Sequence, residues 1–230
     1  MSLKVLSAGA VKGGVSQIAA AYATAADCKV DVEFTQAPKM RKRIAAGEIT
    51  DVLVATAGTM DEFAAGGKIV SATRALLGRS RVGVVVHTNA PAPDVSDTEA
   101  FKRALLAASA VVYNDASSGV YIAALLEKLG VKALLGDRIA VVNSGSAIMS
   151  TVADLGPGAI GMGQISEIRV MINKHCAVKL VAPMPDAIQN VTTYYAAVAV
   201  TSATPDAAAA LVRELTSAAA KNIFAATGID

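Results

Sequence analysis

Asp115-Ala116-Ser117-Ser118-Gly119-Val120-Tyr121 stands at a junction. Before it comes the β-branched run Val111-Val112-Tyr113. After it comes Ile122 to Leu129, whose leucines recur at helical spacing. A strand should therefore turn into a helix at Ser117-Ser118-Gly119. The first backbone N–H groups of a helix have no partner inside it, and the helix dipole adds positive potential there. Two hydroxyls and a glycine at such an end suit a small oxyanion. They equally suit an ordinary cap, because serine and glycine are favoured at helix starts.

Outward from this turn the same rhythm repeats. Leu3–Ala8, Val30–Phe34 and Asp51–Ala55 read as strands, with helices at Val11–Ala25, Pro38–Ala46 and Met60–Ala65 between and after them. Arg81–His87 breaks the alternation, since a proline-bearing loop follows it to Ser96. A second series then runs on. It has a helix from Asp97 to Ala108, the Val111 strand, a helix from Val120, and the Arg138–Val142 strand. A helix from Ser146 to about Leu155, the Ala159–Met162 strand, a short helix at Ser166 and the Val178–Val181 strand complete it. The apolar stretch Val191–Thr201, a helix opened by Thr204-Pro205-Asp206 and a final helix at Ser217–Thr227 close the chain. Alternation of this kind predicts an α/β fold of two lobes, each a mainly parallel sheet flanked by helices. Residues 1–82 with 196–230 form one expected lobe and 83–195 the other, with two hinge crossovers. Ligands of open parallel sheets bind beyond the carboxyl ends of the strands, which in this architecture face each other across a cleft.

Composition narrows the chemistry. The chain has 230 residues, a formal charge of +2, no tryptophan and few aromatics. Its basic residues are scattered, and the densest group, Lys39 to Arg43, falls on one helix without stacking partners. Nucleic acid is not an expected partner. Two cysteines, Cys28 and Cys176, make no disulfide framework, and the two histidines, His87 and His175, lack a second ligand at helical spacing. No metal, no cofactor and no catalytic residue is assigned. No apolar stretch is long enough for membrane insertion. Met1-Ser2-Leu3 leads directly into a strand, which leaves a cytoplasmic protein or a periplasmic one whose export signal has been removed.

Several segments, taken in order, carry a resemblance. They are Leu6–Lys12, Ala46–Val52, Arg81–Val86, Ala92–Ser96, Asp115–Tyr121 and Gly163–Ile168. The ordered set resembles the extracellular solute-binding proteins related to the molybdate-binding proteins of ABC transporters, over almost the whole chain. The resemblance implies the type II periplasmic-binding-protein fold, a small anion as ligand and an ABC permease as partner. Molybdate binders carry serines at the end of the first strand and the start of the second helix. This chain has Ala10 and Gln36-Ala37-Pro38-Lys39 there, with Lys12 and Lys39 supplying charge instead. That suits a di- or tricarboxylate at least as well as a molybdate-like oxyanion.

The expected ligand-binding set is Ala10, Val11, Lys12, Lys39, Ala57, Ser117, Ser118, Gly119, Tyr121, Ser144 and Gln164. Tyr121 has two readings, a hydroxyl offered to the ligand or a ring packed in the second turn of its helix. Thr56 or Thr59 can cap the third helix, Arg81 can clamp a carboxylate or sit at the surface, and Glu167 is expected to pair with a base or cap a helix. Some relatives in the resembled family are aconitate isomerases. An isomerase of a tricarboxylate on this scaffold would draw on Lys12, Lys39, Tyr121 and Glu167. A cytoplasmic anion sensor is the third possibility.

Overall fold

Strand and helix alternate because β-branched runs are punctuated by turns that open alanine-rich helices. The structure, a computed structural model, describes residues 2–230. In chain order it has β1 (Ser2–Ala8), α1 (Lys12–Ala25), β2 (Lys29–Thr35), α2 (Ala37–Ala45), β3 (Val52–Thr56), α3 (Ala57–Ala65) and β4 (Ala75–His87). Next come α4 (Thr98–Ala107), β5 (Ala110–Asn114), α5 (Ser117–Lys128), the single turn α6 (Lys132–Leu135), β6 (Ile139–Val142), α7 (Gly145–Leu155), β7 (Ala159–Gln164) and α8 (Ile165–Asn173). The chain closes with β8 (Val178–Pro183), β9 (Val191–Val198), α9 (Pro205–Leu215) and α10 (Ala218–Ala226). Two compact units result, Met1–Arg79 with Thr192–Asp230, and Ser80–Val191. Both chain crossings fall a few residues before the positions expected from the sequence.

In the first unit β1 pairs in parallel with β2 and β3, and β9 runs antiparallel on β3. Alternation along β1 sends Leu3 and Val5 to one face and Leu6 to the other. The Leu3 face packs with Val15 and Ile18 of α1, Leu211 of α9 and Phe224 of α10. The Leu6 face meets Met40 and Ile44 of α2 and Met60 and Phe63 of α3. At the amino end of these strands Asp51 is buried. Its carboxylate accepts from the Lys4 N–H at 2.8 Å and the Ser202 hydroxyl at 2.6 Å.

In the second unit β7 lies parallel to β5, β5 parallel to β6, and β4 pairs antiparallel with both β7 and β8. Phe101 and Leu105 of α4 and Ile122 and Leu126 of α5 fill one side. Ile148, Met149 and Val152 of α7 and Ile168 of α8 fill the other. Three boundaries depart from the sequence reading. β4 starts at Ala75 because its early part pairs with the carboxyl terminus, through Arg79 N–H to Asp230 O at 2.6 Å and back at 2.8 Å. α5 begins at Ser117, not Val120, and α8 is a nine-residue helix where a short one was expected.

Candidate anion-binding turns

Parallel pairing brings Ala8, Thr35 and Thr56 to the same edge of the first sheet, each followed by a turn into a helix. After β1 a 3-10 turn, Gly9–Val11, leads into α1 with no side-chain cap. Val11 is buried in the core and Ala10 packs against it, so only their backbone groups can serve a ligand. Lys12 is exposed, with its ammonium 5.3 Å from the centre of the Phe34 ring at the end of β2. That cation–π contact steadies the charge beside the edge. Lys39, in the first turn of α2, is exposed and near Glu33. The Arg43 guanidinium chiefly holds the Glu33 carboxyl below its usual range, and Lys39 contributes.

Neither Thr56 nor Thr59 caps α3. The Thr56 hydroxyl donates to Thr59 Oγ1 at 3.1 Å, and Arg41 Nη2 donates to the same oxygen at 3.1 Å. Glu62 anchors Arg41 through Nη2 at 3.0 Å. Ala57 and Gly58 thus open α3 with free first-turn amides beside a guanidinium. Arg41 was legible only as part of a charged helix face. Its partner lies on another helix, which no local pattern announces.

In the second unit β5, β6 and β7 are parallel, so their carboxyl ends share one edge. The Asp115 N–H donates to Val142 O at 2.9 Å and sets the turn after β5 beside the turn after β6. The serine cap considered for α5 is absent. Ala116 is its N-cap residue, Ser117 is exposed in the first turn and Ser118 is buried. Gly119 is needed for a different reason than ligand approach. A Cβ there would fall 1.5 Å from the Asn114 carbonyl oxygen, so only glycine lets α5 start this close to β5. The Asn114 side chain accepts from the Ala116 N–H at 3.2 Å and braces the turn.

Of the remaining candidates, Ser144 is a true cap, accepting from the Ala147 N–H at 3.2 Å. Tyr121 donates its hydroxyl to Ile188 O at 3.0 Å, so the packing reading applies. Gln164 ends β7 and is buried. Arg81 is half-exposed and bridges Asp186 at 3.6 Å. Glu167 neither pairs with a base nor caps. It lies over Gly145 at the start of α7, and burial pushes its pKa up to about 7. Among the described residues, no group of three or more His, Cys, Asp or Glu side chains could hold a metal, and no helix is long and apolar enough to cross a membrane. Cys28 and Cys176 are free and half-buried.

The contrast among helix starts marks the candidate sites. Asp97, Ser144 and Ser217 cap α4, α7 and α10 through their side chains. The turns into α1, α2, α3, α5 and α8, each at a strand's carboxyl end, have no such cap. Their amides are donors available to an oxyanion.

The fold is shared with known structures. It matches a periplasmic molybdate-binding protein of Azotobacter vinelandii with a TM-score of 0.80 at 17% identity, covering 99% of this chain and 98% of that one. The sulfate-binding protein SubI of Mycobacterium tuberculosis matches with a TM-score of 0.78 at 18% identity, over 100% and 86%. In sequence the chain is 30% identical over 238 residues to an aconitate isomerase of a Pseudomonas species, covering 99% of this chain and 87% of that protein. The family model for bacterial extracellular solute-binding proteins matches residues 3–230, and the chain belongs to that family.

Proposed function

We propose that the chain captures a small organic polycarboxylate on these strand-end turns, as the solute-binding component serving an ABC permease outside the cytoplasm. The observation that carries the reading is the set of uncapped helix starts at strand ends, accompanied in the first unit by Lys12 and Arg41. Backbone amides serve any oxyanion, whereas fixed cations add most for a ligand with several charges. The alanine at position 10 removes the hydroxyl that a molybdate-like ligand would use. A carboxylate-handling relative at 30% identity supports the same class.

A thermal-shift series with molybdate, tungstate, sulfate, citrate and trans-aconitate tests this. A polycarboxylate at a hundredfold excess over its Kd should raise Tm by about 5–10 °C, from about 2.7 kcal/mol of linkage in a chain of this size. Stabilisation by molybdate and tungstate alone would remove the carboxylate assignment. No stabilisation by any of the five would remove anion capture.

The named relative favours a second reading, isomerisation of a tricarboxylate on the same turns. Incubation with trans-aconitate followed by chromatography decides it, with cis-aconitate as the expected product. An unchanged substrate pool leaves binding as the function.

A further inference from the structure

Beside the start of α3 lies a cation that the reading of the turns leaves out. Arg74 follows the 3-10 turn Ser71–Thr73, and its backbone N–H donates to Ser71 O at 3.1 Å. Thr73 pins that turn to β9, where its Oγ1 accepts from the Val198 N–H at 2.9 Å. From this fixed base the Arg74 guanidinium lies over the Tyr195 ring, with Cζ 4.2 Å from the ring centre. Nη1 donates to Asp61 Oδ1 at 2.6 Å. Among the described residues, Nε is buried with no acceptor, and Nη2, which is not enclosed, has no partner either. Native structures keep few buried donors unpaired, because each is costly.

The surrounding elements set this guanidinium beside the uncapped turn into α3. Tyr195 stands opposite Ala55 in the β3–β9 register, two residues before α3 begins, and it packs against the cluster that holds Met60 and Phe63 of that helix. Asp61 comes four residues after Ala57 and three after Gly58, so all three share one face of α3. Side chains of a helix slope towards its start, which brings the Asp61 carboxylate back over the first turn, with the guanidinium bonded to it. The unused amides of Ala57 and Gly58 are then about one helical pitch away, about 5 Å. The next residue, Glu62, holds Arg41. Asp61 and Glu62 thus each tether one arginine at the same helix start.

We propose that Arg74 is a ligand-binding residue of the first unit, taking one carboxylate of a polycarboxylate whose other carboxylate meets the α3 amides. The proposal rests on the anion-capture reading and adds a residue that the reading lacks. Stacking on Tyr195 fixes the plane of the guanidinium without using its donors, so the cation is oriented before a ligand arrives. Asp61 engages one nitrogen and lies at the surface, where solvent screens its charge. A ligand carboxylate on Nη2 adds a charge-assisted hydrogen bond and offsets the guanidinium charge that Asp61 leaves uncompensated. Two places for negative charge, a helical turn apart, favour a ligand with several carboxylates over one with a single carboxylate.

Titration calorimetry with trans-aconitate on the full chain, on Arg74→Gln and on Asp61→Asn tests this. Arg74→Gln removes the cation and should weaken Kd about tenfold to a hundredfold, the scale of a hydrogen bond between charged groups. Asp61→Asn leaves Arg74 on its ring and removes a competing carboxylate, so Kd should tighten about two- to fivefold. A pair that only holds α3 in place predicts the same sign for both variants, since each one breaks it. A Kd within about twofold of the wild type in Arg74→Gln overturns the proposal, as does unchanged or weaker binding in Asp61→Asn. The Asp61 variant decides alone if Arg74→Gln does not fold, because an exposed carboxylate contributes little to stability. Heat from the wild-type protein with molybdate, but with neither trans-aconitate nor citrate, overturns this proposal and leaves anion capture standing. Absence of heat with all three overturns both.

Discussion

The raised pKa of Glu167 has a consequence for stability that needs no ligand. In the unfolded chain Glu167 titrates near 4.5, and in the folded protein near 7. Between those values the folded state holds a proton that the unfolded state has released. Stability from this group is therefore fully present below about pH 4.5, falls as pH rises through 7, and levels off above it. Glu167→Gln removes the dependence. Its melting temperature should match the wild type near pH 5 and pull ahead towards pH 8, by roughly 1–3 kcal/mol of stability. Parallel melting curves at every pH would show that the carboxyl titrates as in open chain. Glu167 stood out in the sequence as a carboxylate among anion-binding turns. Its seat could not be foreseen, because Gly145 meets it only after α7 and α8 have packed together.

At the scale of elements, the start of α5 joins sequence to site most directly. Its first turn holds Ser117, Ser118 and Gly119, and the last of these touches the end of β5. Gly119→Ala would drive a methyl into the Asn114 carbonyl and force α5 outward. The expected loss is about 2–4 kcal/mol in urea unfolding. Ser117→Ala should cost less than about 0.5 kcal/mol, since this hydroxyl does not cap. A cost near 1 kcal/mol would restore the serine-cap reading.

The strand–helix alternation was legible because it rests on local patterns: β-branched runs, alanine-rich stretches and the proline at position 38. The start of β4 and the packing reason for Gly119 were not. At 117–119 the turn into a helix could be read, but the reason for its glycine, the Asn114 carbonyl, could not. The early part of β4 owes its pairing to Asp230, far away in sequence. Arg41 shows the same limit within the candidate site, because its contact with Thr59 joins two helices. The amide donors, by contrast, could be inferred from the turns alone, since every helix start has them.

At the scale of the molecule, each unit has its own core and its own polar fastening. In the first, Asp51 ties β1 to the loop after β9. In the second, the Gln189 side chain is fully used. Its Oε1 accepts from the Val82 and Asn190 N–H groups, both at 2.9 Å, and its Nε2 donates to Val82 O at 3.1 Å and Met184 O at 3.0 Å. This amide secures β4 just after the chain enters the unit, using a residue just before the chain leaves it. Asp51→Ala leaves an N–H and a hydroxyl without their acceptor, at a cost of about 2–4 kcal/mol, and Gln189→Ala costs about 1–3 kcal/mol. Distant sites with no shared partners act independently. Native-state hydrogen exchange should therefore separate the two variants. Asp51→Ala should speed exchange in β1, β3 and β9 while β5 and β7 keep their protection, and Gln189→Ala should do the reverse. If either variant speeds exchange equally in both sheets, the two cores open as one cooperative unit, and the division of stability argued from their separate packing fails.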